Sequence, residues 1–294
     1  MRNLTPILTV LTVIVLLWYA AVVWLNAPWV QDQAARAKTT VTLAEVIPLT
    51  MAQDRPVLPA PHQVAIELGR SVFGLPVTAK KSLVYHAGIT ISATLLGFVL
   101  GTAFGILLAV GIIHNRAMDM SVMPWAIASQ TIPILAIAPM VIVVLSSLGV
   151  QGLVPKAIIS AFLSFFPVLV GMVKGLRSPD QMQMDQLATY NASRTQILLK
   201  LRLPASLPYL FASLKVGIAA ALVGAIVGEM PTGAVAGLGA RLLSGSYYGQ
   251  TVQIWAALFV AAFVAAGLGA LLALVGPRTL TRMGGGGWSG WPPP

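Results

Sequence analysis

Residues 87–113 read AGITISATLLGFVLGTAFGILLAVGII, and they sit inside a longer uncharged run from Ser82 to Asn115. About 20 apolar residues suffice to carry an α-helix across the hydrocarbon core of a bilayer, so this stretch predicts a transmembrane helix. The same reading extends in both directions. Asn3–Gln31, Met120–Pro155, Ala157–Val173 and Leu242–Pro277 carry no charge, and Leu203–Gly228 is interrupted once, by Lys215. Helix is the default because every backbone polar group in lipid must be satisfied within its own segment, and the alternating pattern of a β-barrel is missing. The predicted spans are 7–26, 87–113, 122–148, 155–173, 207–229 and 252–276, an all-α integral membrane protein of about six helices.

Composition excludes the alternatives. Hydrophobic residues make up 57% of the 294 and charged residues 9%, whereas an ordinary soluble domain carries roughly 25% charged. The net charge of +10 comes from bases flanking the spans, and reads as topology; nucleic-acid binding would call for bases clustered on a soluble domain. With no cysteine, disulfides and thiolate metal sites are excluded. Arg2 before an apolar stretch would suit a secretion signal, but Ile7–Ala27 exceeds the usual apolar region of about 7–15 residues, and Ala27-Pro28 is a poor cleavage site. A retained helix is expected.

The bases also give an orientation. Lys174, Arg177, Arg194, Lys200 and Arg202 lie between the fourth and fifth spans, which puts that segment and both termini in the cytoplasm. The expected organisation is an N-terminal transmembrane helix at 1–27, an extracytoplasmic segment at 28–86, a transmembrane domain at 87–277 and a flexible tail at 278–294 rich in Gly and Pro, with Trp288 and Trp291. Within 28–86, Pro56, Pro59 and Pro61 break any helix, and 62–85 predicts an interfacial helix with Lys80 and Lys81 among headgroups.

The segment 178–203 carries two helix starts. Ser178-Pro179-Asp180-Gln181 combines a cap, a proline suited to the first helical position and capping-box spacing. That helix should run to Tyr190, where Asn191 is placed to take the left-handed conformation. Ser193 and Gln196 repeat the capping-box spacing, and the second helix, about 194–202, should end near Pro204. Two short helices around a tight corner make either a docking knob or a plain connector.

This segment resembles the signature of binding-protein-dependent ABC importer permeases, written E-A-A-x3-G-x9-I-x-L-P. Asp185-Gln186-Leu187 takes the acidic-Ala-Ala place, Asn191 the Gly, and Leu201-Arg202-Leu203-Pro204 the I-x-L-P. Gln186 and Leu187 depart from the two alanines. Leu58-Pro59-Ala60-Pro61, the run Thr90–Phe98, the run Ile132–Pro139 and Phe165-Phe166-Pro167 are similar to the nitrate/sulfonate/taurine-type permeases. The resemblance implies a type I ABC importer permease fold in a bacterial inner membrane. It also implies a solute handed over by an extracytoplasmic binding protein, a pathway between two paired permease subunits forming a homodimer, and a separate ATP-binding subunit. The 178–203 segment would then be the coupling helix region, with Asp185, Leu187, Ala188, Asn191 and Ala192 against the ATPase subunit. Leu214–Ile218 with Val223–Glu229 looks more like the branch serving pyrimidine, thiamine-precursor or riboflavin uptake.

The remaining residues agree with a non-enzymatic subunit that binds no cofactor, ATP being held by the partner. No Gly-x4-Gly-Lys-Ser/Thr phosphate loop occurs, and His62, His86 and His114 have no catalytic company. Gly97, Gly101 and Gly105 share one helix face, as do Gly224 and Gly228, and such faces serve close packing either within one chain or between two. Pro124, Pro133 and Pro139 predict a kinked third span, either lining a pathway or static. Lys215 and Glu229 are intramembrane charges about 21 Å apart along one helix, and either line the pathway or snorkel to headgroups. A self-contained secondary transporter or channel remains the alternative, although the repeats and midplane ligands of such carriers are not evident.

Overall fold

The computed structural model describes residues 4–230 and 236–282. The first uncharged run forms α1, Leu4–Arg36, which passes through Pro28 without a break. The boundary expected at residue 27 is therefore absent: a membrane helix can lose one backbone bond at a proline and continue. Gln33, Ala34, Ala35 and Arg36 are good helix formers, with Arg36 at the negative end. Leu8, Leu11, Leu16, Leu17 and Trp24 are exposed along it, as on a span that is apolar all round.

A short helix the sequence did not announce follows, α2, Leu43–Met51. At its start the Glu45 carboxylate accepts from the Thr42 N–H and hydroxyl, both at 2.9 Å, and these bonds hold its carboxyl below the usual carboxylate range. Next comes α3, Pro61–Val72. The helix expected over 62–85 stops there because Pro76 offers no N–H and pushes Leu75 out of the helical region. Ile66, Phe73 and Val77 are exposed around this turn, the disposition of an interfacial segment.

The deciding stretch forms α4, Leu83–His114. The third span, expected at 122–148 with a proline kink, divides into α5, Arg116–Ser129, and α6, Ile134–Ser147, bent by 99° at the break. Pro133 caps α6 and biases Ile132 towards extended backbone. Each arm has 14 residues, about 21 Å of helix, which is short of a core about 30 Å thick. Then follow α7, Leu153–Leu176, α8, Gln181–Thr189, and α9, Arg194–Ile197. A π-helical turn, Leu198–Arg202, leads into α10, Leu203–Glu229. The chain continues through α11, Leu238–Tyr247, to α12, Thr251–Arg282. The first residues of the expected tail are thus helical, and 283–294 lie outside the described residues. Among the described residues, five helical runs are long and apolar enough to span, or six with the bent pair.

The chain divides into two compact units, one of Met1–Ala87 with Ala240–Ala261, the other of Gly88–Gly239 with Ala262–Pro294. In the first, fully buried Asn26 is a polar staple. Its Oδ1 accepts from the N–H groups of Val57 (2.9 Å) and Leu58 (3.2 Å), and its Nδ2 donates to the Leu58 carbonyl at 2.9 Å. Trp18 donates to the Pro59 carbonyl at 3.1 Å, and the Thr251 hydroxyl to that of Pro56 at 2.6 Å. The proline-rich segment is thereby tied down through both its N–H groups and its carbonyls.

In the second unit α7 is the central helix, with Ile159, Leu169, Met172 and Leu176 inside. Glycines on both neighbours let backbones approach it. A Cβ at Gly101 of α4 would stand 2.7 Å from the Ala161 carbonyl, and one at Gly224 of α10 would stand 2.7 Å from Ser160 Cα. The Ser160 hydroxyl donates across the second seam to the Ala221 carbonyl at 2.7 Å. Both glycine faces are accounted for by packing within the chain.

Candidate functional site

The knob begins two residues later than its sequence suggests. Asp180, not Ser178, caps α8: its Oδ1 accepts from the Gln183 N–H at 2.8 Å, and Gln183 Oε1 accepts from the Asp180 N–H at 3.3 Å. Ser178 instead donates to the Gly175 carbonyl at 2.7 Å, satisfying an orphan acceptor at the end of α7. The corner itself is as expected. Asn191 has φ +52°, the Ala192 N–H donates to the Leu187 carbonyl at 3.0 Å, and the Asn191 N–H donates to that of Ala188 at 2.9 Å. This pair of bonds is a Schellman ending. Ser193 and Gln196 form the second capping box, at 2.8 and 3.3 Å.

The second helix does not end near Pro204. The run Arg194–Glu229 is continuous, because the wider π turn, in which the Leu203 N–H donates to the Leu198 carbonyl, relieves the clash of a proline ring with the preceding turn. The knob is therefore welded to a span. No residue of α8 is buried. Asp185, Ala188 and Asn191 are exposed, and Leu187 and Ala192 are half-buried. Two apolar side chains that sequence reasoning passed over are the most open, Met182 at 82% and Tyr190 at 75%.

Between the knob and the helix ends lies an open cleft of about 560 Å³, faced by Arg116, Arg177, Arg194 and Arg202. Arg177 pairs with Asp119 at 2.7 Å.

Of the expected pathway residues, Pro133 is exposed at the α5–α6 break and Lys215 is exposed on α10. They are not brought together with Glu229. That residue does not reach headgroups, since its side chain is fully buried. Both its carboxylate oxygens accept from the Thr90 hydroxyl at 2.9 Å, and Oε2 also accepts from the Gly239 N–H at 2.9 Å. Thr90 Oγ1 in turn accepts from the Leu238 N–H at 2.9 Å. Gly237, at φ +130°, lies so close that a Cβ there would overlap the carboxylate. Lys156 fastens the same loop by donating to the Ala236 carbonyl at 2.9 Å. The sequence hinted at this latch only through the glycines that bracket Leu238. Among the described residues no cluster of His, Asp or Glu is placed to hold a metal ion.

Residues 101–279 match the family described as binding-protein-dependent transport system inner membrane component. The chain is 31% identical to a probable ABC transporter permease protein of Haemophilus influenzae, over 69% of this chain and 78% of the relative. It is 32% identical to the riboflavin transport system permease protein of Chloroflexus aurantiacus, over 67% and 71%. It is 30% identical to the formylaminopyrimidine transport permease protein of Halalkalibacterium halodurans, over 62% and 68%.

Proposed function

Because this chain belongs to the binding-protein-dependent transport system inner membrane components, as an ABC transporter permease of the nitrate- and sulfonate-type group, we propose that it moves a small solute inward. The self-contained carrier falls away with that membership. In this reading an extracytoplasmic binding protein delivers the solute, two copies of the chain enclose the pathway, and a separate subunit binds and hydrolyses ATP. Both termini and the knob lie in the cytoplasm. Lys215 supports a pathway role, being an exposed cation in an otherwise apolar span where such a charge usually faces water or protein. Pro133 stands at the break most able to bend. Glu229 acts on the pathway through the loop it holds. The relatives named for formylaminopyrimidine and riboflavin transport are 30% and 32% identical to this chain, against 26% and 27% for those named for aliphatic sulfonates and nitrate, so a small planar heterocycle is the class proposed.

One observation carries the coupling role: a capped knob without a buried residue, continuous with a span and presenting Met182 and Tyr190 outward. Apolar side chains of this size contribute about 1.5–3 kcal/mol each when buried, and a groove in the ATPase subunit would bury them beside Asp185, Leu187, Ala188, Asn191 and Ala192. The test is Ala188→Asp and Ala192→Asp. Each places an unpaired charge in that contact at a cost of several kcal/mol, outside the packed seams. Membrane insertion and thermal unfolding should stay normal while co-purification of the ATPase subunit and uptake are lost. Retention of both by both variants would remove the knob from the coupling surface.

A further inference from the structure

We propose that the cleft beside the knob binds the phosphate group of an anionic phospholipid. The cleft has the charge for it. Arg116, Arg177, Arg194 and Arg202 face about 560 Å³ of open space against a single carboxylate, Asp119. That carboxylate is spoken for by Arg177 at 2.7 Å. Among the described residues no carboxylate lies within ion-pair distance of Arg116, Arg194 or Arg202.

Two of these arginines are also in positions that helix electrostatics disfavours. Arg116 is the first residue of α5 and Arg194 the first of the run to Glu229. A cation at the positive end of a helix is unfavourable, and an anion there is favourable. A phosphate in the cleft would turn both conflicts into attractions. Guanidinium groups grip phosphate oxygens in pairs, and rules broken locally are expected where a ligand restores them.

The other wall separates a lipid from a soluble anion. Ile112, Ile113, Ile197 and Leu198 line it, at the ends of two membrane-spanning helical runs. A free phosphate makes no use of an apolar wall, whereas the glycerol and first methylenes of a phospholipid would lie against it. Basic pockets between transmembrane helices at the membrane border take anionic headgroups for this reason. The volume also falls within the roughly 300–1,000 Å³ usual for sites of small organic ligands. The lipid would join the start of α5 to the start of the helical run that leaves the knob, and so stiffen the seat of the knob.

The test uses the full-length chain in a non-ionic detergent, titrated separately with dioctanoyl-phosphatidylglycerol, dioctanoyl-phosphatidylcholine and inorganic phosphate, with thermal unfolding as readout. Phosphatidylglycerol should raise the unfolding temperature saturably, at concentrations about tenfold or more below those of the other two. Arg116→Gln with Arg194→Gln should weaken that effect at least about tenfold, while Arg116→Lys with Arg194→Lys should lose less. The ligand-free unfolding temperature of each variant reports whether it is folded, and Arg202→Gln is read in place of a pair that is not. Equal stabilisation by phosphatidylcholine, or by phosphate alone, overturns the lipid assignment. So does a Gln pair that sheds the ATPase subunit with lipid binding intact, since the cleft would then receive an acidic protein surface.

Discussion

Asn191 and Gly237 each tolerate few side chains, for different reasons. Asn191 turns the corner of the knob at φ +52°, a conformation that Gly and Asn reach easily and that costs other L-residues about 1–2 kcal/mol. Asn191→Gly should therefore leave uptake and ATPase-subunit binding near normal, while Asn191→Val, β-branched, should lower both. Equal activity of the two would show that the corner is not needed. Gly237 combines φ +130° with direct contact to the Glu229 carboxylate, so even Ala must displace the latch. Gly237→Ala and Glu229→Ala should each lower the unfolding temperature of the detergent-solubilised chain. The second leaves the buried Gly239 N–H without its acceptor, at about 1–3 kcal/mol for a buried group left unpaired.

At the scale of helices, the same residue type has opposite meanings along the chain. On α4 and α10 the glycines at 101 and 224 face backbone atoms of α7 within 3 Å, whereas Gly267 on α12 has nothing within 4 Å of an added Cβ. Gly101→Ala and Gly224→Ala should pry the seams apart and lower the unfolding temperature. Gly267→Ala should hold or raise it, because Ala is preferred over Gly inside a helix by roughly 0.5–1 kcal/mol. A fall for Gly267→Ala as large as the others would mean that this glycine also serves a close contact. Prolines divide in the same way. Pro28, Pro167 and Pro277 sit within continuous helices, while Pro133 marks a 99° bend. The difference lies in the flanks, since Gln130, Thr131 and Pro133 give two adjoining helices a polar break where Pro28 is followed by helix formers.

For the whole molecule, the decisive expectation is orientation. The chain has no cysteine, so single cysteines can be introduced without background. Ser193 at the knob and Tyr248 between α11 and α12 are both exposed. With the knob in the cytoplasm, an impermeant thiol reagent on intact cells should label Tyr248→Cys and spare Ser193→Cys until the cells are opened. The reverse pattern would invert the topology and detach the knob from any cytoplasmic ATPase.

Spans were readable in the sequence because lipid imposes a one-dimensional rule: about 20 apolar residues without charge must be a helix. Asn191 and the Ser193–Gln196 box were readable because caps and left-handed corners are settled within five or six residues. The tertiary structure decided the rest. Whether Ser178 or Asp180 caps α8 depended on where α7 ends, and whether Pro204 stops a helix depended on a π turn before it. Whether Glu229 meets water or Thr90 depended on a residue 139 positions away, and no local pattern carries that information. Burial of a charge is a property of what folds over it, and only the packed chain supplies that.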